Sequence, residues 1–270
     1  MVDAFKDGIL KGKTAFVAGG SSGINLGIAQ RFAEQGANVA IISRNADKVA
    51  AAVASIRDAS GSAWGTSADV RDYEAVLASL SGAHAEFGEI DIVVSGAAGN
   101  FLAPVVGMSA NAFKTVVDID LIGTFNVFRA CYDFLRKPGA SLIAITAGQA
   151  VNPQPFQAHA CAAKAGVNML TRCLAMEWGP AGVRVNGIAP GPIEDTEGMA
   201  RLTATPEAEA ALKARIPLRR YGTKAEIADM ALYLASENAR YISGAILDVD
   251  GGSALGDASA DALTGMTRDA

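Results

Sequence analysis

The sequence predicts an α/β fold, a doubly wound, seven-stranded parallel sheet in a single domain. Three observations predict it. Short apolar runs alternate with helix-period segments along nearly the whole chain. The runs are apolar throughout, as strands buried on both faces must be. A glycine-rich turn follows the first run and opens the first helical segment, as in a strand–turn–helix unit.

Residues 14–18 (TAFVA) form the first predicted strand, followed by GGSSGINLG. In the next segment Ile28, Phe32 and Ala33 recur at helical spacing, and Gly36 stops it. NVAIIS (38–43) is the second strand, and an alanine-rich helix runs from about 46 to 59. Residues 62–70 read as a third strand, 72–87 as a helix and 90–95 as a fourth strand. One long helix is expected from 109 to 135, then a fifth strand at 140–146. A helix at 159–178 precedes a sixth strand at 182–189. Helices near 205–214 and 223–236 and a strand at 245–250 complete the set. No Pro-, Gly- or Ser-rich linker divides the chain, which reads as one domain over 1–270. Residues 253–270 are small and polar and read as a frayed tail.

Composition narrows the function. Half of the 270 residues are apolar and 19% are charged, which excludes a disordered chain. The three cysteines form no CxxC pair and read as small packing residues. With two histidines in the chain, no zinc pattern is present and no metal is expected. A net charge of −5 disfavours a nucleic-acid partner. No apolar run is long enough to span a membrane. The start MVDAFKDGILKGK lacks a secretory apolar core, and TRDA is neither a peroxisomal SKL nor an ER signal. The expectation is a cytoplasmic protein.

The turn Gly19-Gly20-Ser21-Ser22-Gly23-Ile24 suits a pyrophosphate, because glycine permits close backbone approach and the following helix offers free N–H groups. A glycine-rich turn without a ligand is the plain alternative. Strand two ends in Ser43-Arg44, where an acidic residue would hold a ribose 2′-hydroxyl and an arginine suits a 2′-phosphate. A solvated arginine is the alternative there. Asp69, after strand three, suits an adenine amino group or else caps the next helix.

Several motifs fall in one order and spacing: the Gly19–Gly23 turn, Asp69-Val70, Ala97-Ala98-Gly99, Lys164 and Pro190-Gly191-Pro192-Ile193. In these the chain resembles the short-chain dehydrogenase/reductase family, which has a Rossmann-type fold. Narrower stretches are AAGNF (97–101), residues 111–127 and 177–193, TEGMARL (196–202) and the YLAS…GA…DGG ending. Through these it is most similar to the 2,4-dienoyl-CoA reductases of the peroxisomal type. The resemblance implies NADPH-dependent reduction of a dienoyl-CoA thioester to a 3-enoyl-CoA, an acyl-CoA substrate and a homotetramer. It implies cofactor contacts at Gly19, Ser21, Ser22, Gly23, Ile24, Arg44, Asp69, Val70, Ala97, Ala98, Lys164, Pro190, Gly191, Ile193 (through its backbone) and Thr196. Substrate contacts are carried over to Arg71, Phe101, Ser109, Asn111 and Arg201. The catalytic pair is Asp120 and Lys164, which hold a proton-delivering water.

The departures from the wider family are informative. Ala160 stands where its tyrosine is expected and Ala147 where its serine is expected. Asp120 replaces an asparagine and Asn25 the third glycine of the turn, while Ala162 stands where the subtype has serine. Reducing a simple carbonyl creates an alkoxide that needs a positioned proton donor. A conjugated thioester spreads that charge as a dienolate, which needs hydrogen-bond or electrostatic stabilisation and a proton at carbon. Asp118 and Asp120 lie two apart on the predicted helix and do not share a face; spacing does not choose between them, and the resemblance selects Asp120. His159 reads as structural or pocket-lining, with a proton shuttle as the alternative.

Ligand loops are expected at 96–109, 148–157 and 191–206, outside the strand carboxyl ends. Residues 195–216 read as a lid, with a helix start at Asp195-Thr196-Glu197. Lys213, Arg215, Arg219 and Arg220 are further cations suited to CoA phosphates. Two competing readings stay open: a reductase of another enoyl thioester or small non-CoA substrate, and a non-catalytic dinucleotide-binding protein.

Overall fold

The computed structural model describes residues 5–196, 198–199, 203 and 205–259. Seven strands make one sheet: β1 (Thr14–Ala18), β2 (Asn38–Ser43), β3 (Ala63–Ser67), β4 (Ile92–Ser95), β5 (Ser141–Ile145), β6 (Arg184–Pro190) and β7 (Ile246–Val249). They are all parallel, in the order β3-β2-β1-β4-β5-β6-β7. The order reverses between β1 and β4, which opens a crevice at their carboxyl ends.

Strand side chains alternate between two cores. Ala15, Val17, Val39 and Ile41 face one side, under α1 (Gly23–Glu34), α2 (Ala46–Ser60) and a late helix, α8 (Lys224–Ala235). Phe16, Ala18, Ala40 and Ile42 face the other. There they meet α3 (Tyr73–Phe87), α5 (Gly123–Cys131) and α6 (Ala158–Trp178). Each fully buried Ile, Leu or Phe contributes about 1.5–3 kcal/mol. The sheet therefore holds the crevice rigidly from below.

Local chemistry sets the helix starts. Asn45 caps α2 through Lys48 N–H at 2.8 Å, and Asp72 caps α3 through Ala75 N–H at 3.1 Å. The α3 cap is therefore Asp72, which leaves Asp69 for another role. Thr223 and Glu226 form a reciprocal capping box on α8.

The long helix expected over 109–135 is interrupted. It divides into α4 (Ala110–Val117), a π-helical turn (Asp118–Ile122), α5 and a short 3-10 turn at Tyr132–Phe134. The third strand also ends earlier than expected, at Ser67, because Ala68–Asp72 turn into α3. At the carboxyl end, α7 (Pro206–Arg215) precedes α8. Residues 253–259 are tied down rather than frayed. Asn152 Nδ2 donates to Ala254 O at 2.9 Å, and Arg215 pairs with Asp257 at 2.9 Å. The rest of the predicted tail, 260–270, lies outside the described residues. Cys131 is buried, and burial pushes its thiol up, but Cys173 is exposed and is not a packing residue. Among the described residues no helix is long and apolar enough to cross a membrane.

Arg220 hydrogen-bonds Glu226 and holds its carboxyl down at about 2, with help from the Thr223 N–H. A carboxyl lowered on folding stabilises above its unfolded value, and the contribution is lost as pH falls through the folded value. Glu226→Gln is therefore expected to lower stability at neutral pH by about 1 kcal/mol. It should also flatten the loss of stability between pH 4.5 and about 2, read by denaturant unfolding across that range.

Candidate active site

The floor of the site is built by the turn after β1. Gly19 has φ +81°, and a Cβ there would fall 2.8 Å from Ala97 N. Its N–H donates to Ile42 O at 2.8 Å, which holds the turn against β2. Ser22 precedes α1 without capping it, and no acidic residue lies in the first helical turn. The first-turn N–H groups and the positive helix end thus remain for an anion. That glycine cradle fits a dinucleotide pyrophosphate.

A groove of about 690 Å³ runs over this turn and along the strand carboxyl ends. Of the fifteen predicted cofactor residues, fourteen line it: Gly19, Ser21, Ser22, Gly23, Ile24, Arg44, Asp69, Val70, Ala97, Ala98, Lys164, Pro190, Gly191 and Thr196. Ile193 lies outside the lining, with its side chain 2% exposed in the core. Its backbone stretch is pinned, because Gly222 N–H donates to Pro192 O and Glu194 N–H to Gly222 O. Asn45, Lys48, Thr146 and Gln149 also line the groove and were missed by sequence reasoning, and Asn25, noted there only as a departure from the third glycine, joins them. They are ordinary polar residues, and the signal that finds them is their place on the loops and first helical turns that follow a strand end.

At one end of the groove Arg44 is exposed beside Ser43, and Ser67 Oγ donates to Arg44 O at 2.9 Å. Asp69 is gripped by Arg71, whose Nε and Nη2 donate to its carboxylate at 2.6–3.1 Å. That guanidinium holds the Asp69 carboxyl below its usual range. Val70 is fixed from behind, where the buried Asn126 Nδ2 donates to its carbonyl at 2.8 Å.

The centre of the site is an ion pair. Asp120 is 1% exposed and Lys164 7% exposed, with Nζ and Oδ2 3.3 Å apart. Asp120 Oδ1 also accepts from Gly99 N–H at 2.7 Å, and Lys164 Nζ donates to Ile145 O at 3.0 Å. The π-helical turn selects Asp120, since the extra residue in that turn rotates it inward while Asp118 pairs outside with Lys114. Thr124 Oγ1 supports the turn by donating to Asp120 O at 2.7 Å. Ala147 lines the groove and Ala160 is buried, so neither position supplies a hydroxyl.

The predicted substrate residues are less gathered. Phe101 sits edge-on to His159, with ring centroids 4.3 Å apart. His159 is fully buried, and neither ring nitrogen has a hydrogen-bond partner among the described residues. Ser109 caps α4 by accepting from Ala112 N–H at 3.1 Å, and Asn111 lies exposed in the first turn of α4. Neither lines the groove. Arg201 and Glu197 lie outside the described residues. At the predicted lid helix start, Asp195 adopts a positive φ of 54°, and Thr196 Oγ1 donates to Ile193 O at 2.8 Å. The further cations are already engaged: Lys213 with Glu209, Arg215 with Asp257, Arg219 with the Ala214 and Ala258 carbonyls, and Arg220 with Glu226. Their charges are paired at the surface, as that of Arg71 is with Asp69. Among the described residues no cluster of His, Cys, Asp and Glu is placed to hold a metal.

A seven-stranded parallel sheet with a glycine-rich turn at its reversal point, and a lysine of α6 lining the groove above it, define a dinucleotide-dependent oxidoreductase. The chain belongs to the short-chain dehydrogenase/reductase family. A family profile described as enoyl-(acyl carrier protein) reductase matches residues 18–254. The peroxisomal 2,4-dienoyl-CoA reductase of Rattus norvegicus, (3E)-enoyl-CoA-producing, is 48% identical over 248 residues, 91% of this chain and 85% of the relative. The peroxisomal 2,4-dienoyl-CoA reductase of Saccharomyces cerevisiae is 40% identical over 253 residues, 92% and 86% of the two chains. A crystal structure of a short chain dehydrogenase from Bacillus anthracis is 37% identical with a TM-score of 0.81, covering 90% of this chain and 97% of the other. The fold implies a nicotinamide dinucleotide cofactor. The cytoplasmic expectation is overturned: the dienoyl-CoA reductases that the chain is similar to are peroxisomal by name.

Removing one partner of a buried ion pair strands the other charge. Lys164→Met is therefore expected to cost about 3–5 kcal/mol of folding stability, measured by denaturant unfolding at neutral pH. A loss below about 1 kcal/mol would place the pair in a far wetter setting than its burial implies.

Proposed function

We propose that this protein reduces 2,4-dienoyl-CoA thioesters to 3-enoyl-CoA products with NADPH. The observation that carries the reading is the buried Lys164–Asp120 pair on a groove where Ala147 and Ala160 replace the hydroxyls a carbonyl reductase needs. The names of the relatives support the substrate class. A 2′-phosphate is favoured by Arg44 at the end of β2, where a carboxylate would repel it.

Bound NADPH supplies the hydride. The turn from Gly19 to Ile24 holds its pyrophosphate, Asp69 and Val70 its adenine, Arg44 its 2′-phosphate, and Ala97, Ala98, Pro190, Gly191, Ile193 and Thr196 its nicotinamide end. Lys164 donates one N–H to Ile145 O and faces the Asp120 carboxylate across 3.3 Å, which leaves a further N–H for ribose hydroxyls or for water. Its positive charge lies beside the groove in a poorly solvated setting, where it stabilises a dienolate oxygen well. Asp120, held by Gly99 N–H, anchors the water that delivers the proton to carbon. Arg71 presents its charge to CoA phosphate, Phe101, Ser109 and Asn111 meet the acyl-CoA at the rim, and Arg201 belongs to the same set.

Residues 195–216 act as the substrate lid. Met199, Ile216 and Tyr221 form a small apolar cluster separate from the two sheet cores, which supports a unit distinct from the body of the sheet. A homotetramer is supported by exposed apolar side chains on α4, α5 and α6, namely Phe113, Phe125, Met169 and Met176. The second reading, an enoyl thioester reductase, is favoured by the description of the matching family profile.

Following NADPH absorbance with a 2,4-dienoyl-CoA and a 2-enoyl-CoA separates the two readings. Consumption is expected with the diene, and turnover with the monoene alone would overturn the proposal. Asp120→Ala is expected to lower kcat by about 10²–10⁴-fold. Near-normal turnover would remove its part in proton delivery. Arg44→Ala is expected to weaken NADPH by about tenfold or more while leaving NADH nearly unchanged, read by fluorescence titration. An equal loss for both would remove the 2′-phosphate role.

A further inference from the structure

Asn25 occupies the place of the third glycine in the turn, on the first helical turn of α1. Its Nδ2 donates to Gly96 O at 2.8 Å, across 71 residues of sequence. Gly96 follows β4, and its own N–H donates to Ala18 O at 3.1 Å, at the end of β1. One amide therefore ties the phosphate turn to the loop that carries Ala97 and Ala98, and all of these residues line the groove.

The fit between the two residues is steric as well as polar. A Cβ on Gly96 would fall 2.0 Å from Asn25 Oδ1, 2.5 Å from its Cγ and 2.6 Å from its Nδ2. Those three atoms are its nearest obstacles. Gly96 does not have a positive φ, so its backbone makes no demand for glycine. The volume of the Asn25 side chain is what demands it. Gly19 faces the same amide, with a Cβ there 3.1 Å from Asn25 Nδ2. Asn25 Oδ1 is buried and has no donor among the described residues, so the contact is held at an electrostatic cost rather than for maximal stability.

We propose that Asn25 and Gly96 form a matched lock that sets the spacing between the phosphate turn and the β4 loop. Asn25 is thereby a positioning residue for the dinucleotide. It holds two walls of the groove in register before ligand arrives, and pre-organisation of that kind is expressed as affinity. The proposal rests on the groove binding a nicotinamide dinucleotide, and it concerns a pairing of residues rather than the choice of acyl substrate.

The test is a double-mutant cycle on the full chain, with NADPH affinity read by fluorescence titration and folding by thermal melts. Asn25→Ala keeps a helix-forming residue and removes the amide. It is expected to weaken NADPH by about two- to tenfold, the value of one hydrogen bond, with the melting temperature within a few degrees of the parent. Its KM for NADPH should rise while kcat at saturation moves less. Gly96→Ala forces a clash and is expected to lower both affinity and melting temperature. Adding Asn25→Ala to it should restore both to near the Asn25→Ala values, the opposite of additivity. Unchanged affinity in Asn25→Ala, or a double variant at least as impaired as Gly96→Ala, would overturn the lock. If the parent binds no dinucleotide, the proposed function falls and the positioning role with it. The melting temperatures then still report whether the two residues are matched.

Discussion

A carboxylate and an ammonium buried together each lose several kcal/mol of hydration, and they recover it only through each other and through nearby backbone dipoles. Asp120 and Lys164 are in that position, with Gly99 N–H and Ile145 O completing their shells. Each partner of the pair, and each backbone group that completes it, comes from a different element of the fold. Asp120 sits on the π-helical turn between α4 and α5, Lys164 on α6, Gly99 on the loop after β4 and Ile145 at the end of β5. Satisfying one ion pair thus locks two helices and two strand ends together beside the crevice. The geometry of the ion pair and the packing of the sheet's carboxyl edge are the same structural fact.

The rest of the site follows from where the sheet ends. Parallel strands buried on both faces put all their carboxyl ends on one edge, and the reversal between β1 and β4 leaves that edge uncovered. Glycines at the first turn let backbone amides reach the groove, and polar residues just beyond β2 and β3 supply its charged rim. Ala147 and Ala160 put no hydroxyl at those two positions, so the polar chemistry beside the groove is that of the Asp120–Lys164 charges.

Features of the fold that depend on local sequence were legible. Seven apolar runs became seven strands, with ends within a few residues, because period and composition are local properties. The turn glycines were readable for the same reason, whereas the cap of α3 is Asp72 and not Asp69. Features that depend on long-range pairing were not. Arg220 looked like a cation for a phosphate, yet it is spent on Glu226, and Arg215 on Asp257. Asn25 was legible only as a departure from the third glycine of the turn, and its partner Gly96 lies 71 residues away.

By itself the sequence determined the doubly wound sheet and the glycine-rich turn after its first strand, since each rests on spacing along the chain, and the resemblance to a family singled out Lys164. Only the tertiary structure decided which of two aspartates turns inward, because helical register across 118–122 is set by packing against α6 rather than by propensity. It also decided that the chain past β7 folds back onto Asn152 and Arg215. The physical reason is the same in both cases. A contact between residues far apart in sequence gains energy only after the chain has closed the loop between them, and that closure leaves no signature in either segment alone.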